Sequence, residues 1–236
     1  MNGKLFVFDV GNTLLVKPAT VINKETIVAL RNLHDAENIV GVASMRNKLQ
    51  FQCLRTEFPF DFYIGLNGSY VELNDQIVIE NPLSEQDVFN IVEFANQHNV
   101  RCLLHTKECV VPFLTEVKES VFVVELFDVC RYSEALKAIL NNKYNYHLWE
   151  GGKTCDIYAK TASKRIALQE ICRLLSVQRC DCIAFGDGYN DTELFKFCGK
   201  SVAMATAPDE LKSLSTYVTK PASQNGVVWA LTHFEL

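Results

Sequence analysis

Three short apolar runs, KLFVFD (4–9), IVGVAS (39–44) and DCIAF (181–185), are continuous rather than alternating, and each leads to a polar residue, Asp9, Ser44 and, after Gly186, Asp187. A strand wet on one face alternates apolar and polar side chains. An unbroken run of this length belongs to a strand buried on both faces, the pattern of a parallel sheet covered by helices. The segments between the runs agree. NKETIVALRNLHD (23–35) places Ile27, Leu30 and Leu33 on one helical face behind an Asn23 start signal, and ASKRIALQEICRLL (162–175) does the same with Leu168, Ile171, Cys172 and Leu175. RNKLQFQCLRTE (46–57) reads as a further helix, FYIGLNG (62–68) as a third strand, and YVEL with QIVIE as a hairpin turned at Asn74-Asp75. GDGYND (186–191) is a turn that opens the helix TELFKFC, and SVAMA, PDELKSL, YVT and NGVVWALTHF finish the alternation. The expected core is α/β, a doubly wound parallel sheet of Rossmann-like type.

From Pro82 the rhythm changes. SEQDVFNIVEFANQH carries a capping-box spacing at Ser84 and Asp87, with Val88, Ile91, Val92 and Ala95 on one face. The strands VRCLLH and VFVVEL, the helix SEALKAILNN, and the strands YNYHLWE and TCDIYA follow. Helix-strand-strand, twice, makes an α+β lobe whose antiparallel sheet is covered by two helices. The expected organisation is a discontinuous core, 1–82 with 160–236, interrupted by a lobe at 83–159. A chain of 236 residues is long enough for both.

Composition narrows the function. A formal net charge of −5 gives no reason to expect nucleic acid. No apolar run approaches membrane-spanning length, and MNGKLFVFDV lacks the pattern of a signal peptide. Nine cysteines, an odd number scattered singly, read as reduced thiols of a cytoplasmic protein, and Cys180-x-Cys182 without a second pair argues against zinc. The NGS at Asn67 fits a glycosylation sequon that is inert in that compartment.

In an open parallel sheet, ligands bind outside the carboxyl ends of the strands. Asp9, Ser44 and Gly186-Asp187 stand at those ends, Asn190 and Asp191 follow, and Lys164 starts the helix after the lobe. Each has an ordinary reading alone, as a turn residue, a helix cap or a surface lysine. Together they offer three carboxylates, a hydroxyl, an amide and an ammonium. That set suits Mg²⁺, which takes carboxylates together with substrate phosphate oxygens, and a carboxylate can itself attack phosphorus. GDGYND is not an EF-hand loop, because Thr192 stands where that loop needs glycine, and no G-x-G-x-x-G follows the first strand.

Across essentially its whole length the chain resembles the haloacid dehalogenase (HAD) superfamily, specifically Cof-type phosphatases with a type IIB cap. FDVGNTLL is similar to the first motif, D-x-D-G-T-L, with Asp9 as nucleophile. VASMR resembles the second, which implies that Ser44, Met45 and Arg46 hold the transferring phosphoryl group. SKRIAL resembles the third, with Lys164 neutralising charge. GDGYND resembles the fourth, with Asp187 and Asp191 at the metal and Asn190 beside the substrate. LNGSYV is similar to the turn before the cap. The resemblance implies a Mg²⁺-dependent phosphatase acting on a small phosphorylated metabolite through an aspartyl-phosphate on Asp9.

The first motif departs from the family at one position. The family's second aspartate, which protonates the leaving oxygen and later activates water, is Gly11 here, and Asn12 replaces the usual glycine. Gly11 keeps the backbone carbonyl that the family offers to the metal. Asn12 is offset by one residue, so its side chain is expected to point elsewhere. General acid–base catalysis typically contributes roughly 10²–10⁴-fold, so slow turnover with the best performance on good leaving groups is expected. The alternative is a catalytically impaired protein that binds a phosphorylated ligand as a sensor or interaction module. Dehalogenases and phosphonatases also lack this aspartate, but they resemble one another in a helical cap between the first two motifs, for which the segment between Thr13 and Ser44 is too short. Arg101, His105, Lys107, Trp149 and Lys153 are the cap residues considered for contact with substrate.

Overall fold

A computed structural model of the chain describes residues 3–16, 20–112, 118–149, 151, 153–234 and 236. The chain opens with β1 (Leu5–Phe8), α1 (Lys24–Asp35), β2 (Ile39–Ala43), α2 (Gln52–Glu57), β3 (Phe62–Gly65), β4 (Tyr70–Leu73) and β5 (Gln76–Glu80). The central part holds α3 (Glu85–Gln97), β6 (Cys102–His105), β7 (Val110–Val111), β8 (Val123–Phe127), α4 (Ser133–Leu140), β9 (Tyr144–Trp149) and β10 (Thr154–Ala159). It closes with α5 (Lys164–Leu175), β11 (Cys182–Gly186), α6 (Thr192–Phe197), β12 (Lys200–Ala203), α7 (Asp209–Leu214), β13 (Tyr217–Val218) and α8 (Gly226–His233).

Eight strands form one sheet in the order β13-β12-β11-β1-β2-β3-β4-β5. It is parallel from β13 to β3, and the hairpin β4-β5 adds two antiparallel strands at one edge. The continuous apolar runs have the expected cause. On β1, Phe6 and Phe8 point into a core with Leu30, Phe51 and Val227, while Leu5 and Val7 point into a second core with Ala167, Ile171 and Leu194. Both faces of the strand are therefore dry. Chain order reverses at β1, flanked by β2 and β11, which places a crevice at its carboxyl end.

The remaining five strands form an antiparallel sheet, β7-β6-β8-β10-β9. Val88, Ile91 and Phe94 of α3 and Leu136 and Leu140 of α4 cover one face by packing on Leu104, Val124, Leu126, Cys155 and Ile157. No helix among the described residues is long and apolar enough to cross a membrane.

Three elements differ from the sequence expectation. The helix expected over 46–57 starts late, with a 3₁₀ turn at Leu49–Phe51 before α2. Asn47 and Gln50 explain it, because each side chain accepts the other's backbone N–H, at 2.9 and 3.0 Å, and holds the preceding loop out of the helix. The strand over 62–68 stops at Gly65, since Leu66, Asn67 and Gly68 all take positive φ. The two-residue β7 was not foreseen, being too short to show a period. The hairpin turn is where expected, with both Asn74 and Asp75 at positive φ, as a tight turn that follows the strand twist requires.

Gly68 fixes the start of α5. Its φ is +96°, and a Cβ there would strike the Ser163 carbonyl, one residue before Lys164. Gly151 also has positive φ, +68°, but open space around it. Both Gly→Ala changes incur left-handed strain of about 1–2 kcal/mol, and only Gly68→Ala adds a backbone collision. Gly68→Ala should therefore lower the urea midpoint clearly more than Gly151→Ala, and equal shifts would contradict this packing.

Candidate active site

Asp9 leaves β1 with its backbone N–H on the Phe185 carbonyl at 2.8 Å, so the sheet register carries through to the acid. The loop beyond it turns back, with Asn12 at φ +53° and its N–H bonded to Leu15 O at 2.7 Å. Ser163 caps α5 by accepting the Ile166 N–H at 3.1 Å, and this delivers Lys164 at the first helical position. A cation at a helix N-terminus opposes the helix dipole. Two acids offset that cost: Lys164 Nζ donates to Asp9 Oδ1 and to Asp191 Oδ1, each at 2.7 Å, with all three side chains buried.

Asp191 also ties its own loop. Its Oδ2 accepts the backbone N–H groups of Asp187 and Gly188, both at 3.1 Å, and Gly186 leaves it room, because a Cβ there would meet that carboxylate. Asp9, Asp187 and Asp191 bring carboxylate oxygens within 4.8 Å of one another. Among the described residues, the buried Lys164 ammonium stands against them. Burial raises the Asp9 pKa, the neighbouring Asp191 and Asp187 add to the rise, and Lys164 pulls the other way. Burial alone would lower the Lys164 pKa, but the two carboxylates outweigh it and keep the ammonium charged.

The cap closes over this edge. Asn67, buried at positive φ, accepts from Asn190 Nδ2 at 3.4 Å and donates to Asp156 Oδ2 on β10 at 3.5 Å. Trp149 Nε1 holds the same Asp156 oxygen at 2.7 Å, while burial lifts the Asp156 pKa to about 6. A cleft of about 240 Å³ lies between core and cap, lined on the core side by Ser163, Lys164, Tyr189 and Asn190 and on the cap side by Asn145, His147 and Tyr158.

The sequence-picked residues fall into two groups. Asp9, Lys164, Asp187 and Asp191 meet in one cluster, the buried Ser44 stands at the end of the neighbouring strand, and Asn190 lines the cleft. The side chains of Met45 and Arg46 go elsewhere. Met45 packs with Leu66, Tyr70 and Phe122, while the Arg46 guanidinium bonds Gln50 O and Cys53 Sγ. What Arg46 brings to the loop is its backbone N–H, 3.4 Å from Ser44 Oγ. Asn12 corrects the expectation that it points away: its Nδ2 donates to Asp187 Oδ2 at 3.1 Å. The αL backbone swings the amide back across the loop, which a count of residues along the strand does not register.

Of the cap residues considered, Arg101 lies over the Phe127 ring at 4.2 Å and Lys107 pairs with Glu80. Lys153 is exposed, whereas His105 and Trp149 belong to the inner face of the cap sheet. Asn67, His147 and Asp156 were missed as site residues. Asp156 had a legible signal, a lone acid inside the apolar strand TCDIYA. The alternation of YNYHLWE likewise puts Asn145, His147 and Trp149 on one face.

Comparison with known proteins gives the family and the fold. The sequence profile of haloacid dehalogenase-like hydrolases matches residues 6–121 and 113–231. A putative phosphatase of Bacillus subtilis strain 168, YkrA, is 25% identical over all of this chain and 99% of its own length. A phosphoglycolate phosphatase of Nitrosopumilus maritimus strain SCM1 is 27% identical, covering 98% of this chain and 96% of the relative. Among solved structures, the subclass IIB sugar phosphatase BT4131 superposes with a TM-score of 0.88 at 21% identity, covering 98% of each chain. The phosphatase BT1666 of Bacteroides thetaiotaomicron gives 0.89 at 21% identity, over 98% of this chain and 94% of the other. These two likenesses are of fold.

The raised pKa of Asp9 has a consequence for stability. Between its ordinary unfolded value and its raised folded value, the folded chain binds more protons, so stability falls as pH rises through that window. Asp9→Asn removes this dependence. With EDTA present, the stability of Asp9→Asn should gain on that of the wild type between about pH 5 and about pH 8, read from urea midpoints. A gain that stays constant with pH would contradict the charge balance.

Proposed function

The chain belongs to the haloacid dehalogenase-like hydrolases, and on that basis we propose that it is a Mg²⁺-dependent phosphatase of a small phosphorylated metabolite, working in the cytoplasm. One observation carries the reading: a buried lysine gripped at 2.7 Å by two aspartates, with a third carboxylate within 4.8 Å, at the carboxyl edge of the sheet and under a cap.

The donor set fits a hard divalent ion. Asp9, Asp187 and Asp191 supply three carboxylates within 4.8 Å of one another, and the Gly11 carbonyl stands in the same loop. The Thr13 hydroxyl, also in that loop, is buried without a partner among the described residues. Mg²⁺ bound there would draw negative charge from the phosphoryl oxygens.

Asp9 is the nucleophile. Its carboxylate attacks phosphorus, the bond to the leaving oxygen breaks, and an aspartyl-phosphate forms. Lys164 holds Asp9 in place and, with Ser44, offers donors to the phosphoryl oxygens. Because the transition state is loose, such positioning and charge neutralisation supply most of the catalysis. The cap excludes water from the cleft and selects the leaving group. Beyond Lys164 the cleft lining is neutral or acidic, so the leaving group is polar and uncharged rather than carboxylated. All nine cysteines are free thiols, in keeping with a reducing compartment.

Gly11 favours a second reading, a phosphoryl-binding module without turnover, since no side chain stands beside the leaving oxygen at that position. Phosphate release from a panel of sugar, nucleotide and aryl phosphates with Mg²⁺ separates the two. The phosphatase reading expects release from at least one member, abolished by EDTA and by Asp9→Asn. Binding without release supports the module. Gly11 has a φ that side chains adopt, and an added Cβ meets nothing within 4 Å, so Gly11→Asp fits. It should raise turnover of alkyl phosphates by up to roughly 10²-fold and that of 4-nitrophenyl phosphate much less. Equal gains would rule out a missing leaving-group acid.

A further inference from the structure

The cap sheet turns one row of side chains toward the core. Leu103, Glu125, Asp156 and His147 stand opposite one another on β6, β8, β10 and β9. Alternation along the strands puts His105 and Trp149 on the same face. Much of the row is anchored. His105 Nε2 lies 3.0 Å from Glu125, and Asp156 Oδ2 holds Trp149 and Asn67.

His147 differs. The residue is about nine-tenths buried, and its Nε2 is buried with no hydrogen-bond partner among the described residues. A buried nitrogen in that condition costs free energy until a ligand or a water completes it. The ring lies 4.1 Å from Trp149 and 6.5 Å from Tyr189 of the GDGYND loop, centroid to centroid, and it lines the cleft that Lys164 lines from the other side. The charges acting on it are those of the catalytic cluster, Lys164 and Asp191, rather than the acids of its own sheet. Burial, with Lys164 adding to it, lowers its pKa to about 4, so the ring is neutral and able to accept a proton.

Resting on the phosphatase reading above, we propose that His147 is the general base that activates water against the aspartyl-phosphate. Among its described residues, the core provides no better candidate. Gly11 has no side chain, the Asn12 amide cannot take a proton, and Asp187 and Asp191 belong to the ion and lysine cluster. In the cleft, Tyr158 is a phenol pushed up to about 12 by burial, and Glu193 faces solvent.

In-line displacement puts Asp9 on one side of phosphorus and the leaving oxygen on the other, the side the cap covers. Once the leaving group departs, a water occupies its place. The water oxygen bonds to phosphorus as the bond from phosphorus to Asp9 breaks, and that electron pair returns to the carboxylate. The water's proton passes to His147 Nε2, and the imidazolium returns it to solvent as inorganic phosphate is released.

His147→Gln keeps a polar side chain of similar size that cannot accept the proton. In rapid mixing with 4-nitrophenyl phosphate and Mg²⁺, this variant should release one equivalent of 4-nitrophenol per site at the wild-type rate. Steady turnover should then fall about 10²-fold or more, with acid-quenched protein carrying phosphate on Asp9. Free imidazole should speed the slow phase of His147→Ala. Unchanged turnover, or equal slowing of both phases, overturns the assignment while leaving the phosphatase reading intact. A wild-type protein that releases no phosphate from any substrate overturns that reading, and this inference with it.

Discussion

The site depends on one interaction, the grip of Asp9 and Asp191 on the buried Lys164 ammonium. These residues come from three separated segments: the end of the first strand, the start of the helix after the cap, and the loop after β11. Taking an ammonium out of water costs several kcal/mol, on the order of what a single well-made ion pair returns. Here two carboxylates share it, and backbone N–H groups hold the second of them. The lysine therefore stays charged where its own helix disfavours it, and the two halves of the core are bound together at the edge proposed for the chemistry. Among the described residues the same arrangement gathers three carboxylates around the lysine, a donor set that a divalent ion would suit.

The cap adds what the core lacks. Through Asn67, the GDGYND loop and β10 share one chain of hydrogen bonds, so the cap and that loop are coupled by side chains rather than by the linkers alone. The cap contributes an aromatic and an imidazole in place of the cations the sequence had offered. A core without an acid at Gly11 and a cap with an unpaired imidazole underlie the proposed division of labour, in which Asp9 and Lys164 would transfer the phosphoryl group and the cap would handle the water that removes it.

Most of the fold is legible in the sequence because burial on both faces writes itself as unbroken apolar runs, and because strand ends in a parallel sheet are the place where polar residues converge. Asp9, Lys164, Asp187 and Asp191 stand out from the sequence alone for this reason. The side chains of Met45 and Arg46 do not stand where the resemblance put them, since the Asn47–Gln50 exchange that shapes their loop is a matter of side-chain direction. Asn12 failed for a related reason: a left-handed residue breaks the alternation on which the expectation rested. His147 was hidden by distance, since nothing near it in the chain indicates that Lys164 lies across the cleft.

The most direct test is a crystal structure of the chain grown with Mg²⁺ and beryllium fluoride, which mimics a phosphoryl group on a carboxylate. The account predicts beryllium fluoride bonded to Asp9, with Lys164 and Ser44 on its fluorines and the ion between it and Asp187. Beryllium fluoride elsewhere, or an ion site that leaves Asp9 untouched, would contradict phosphoryl transfer through this aspartate.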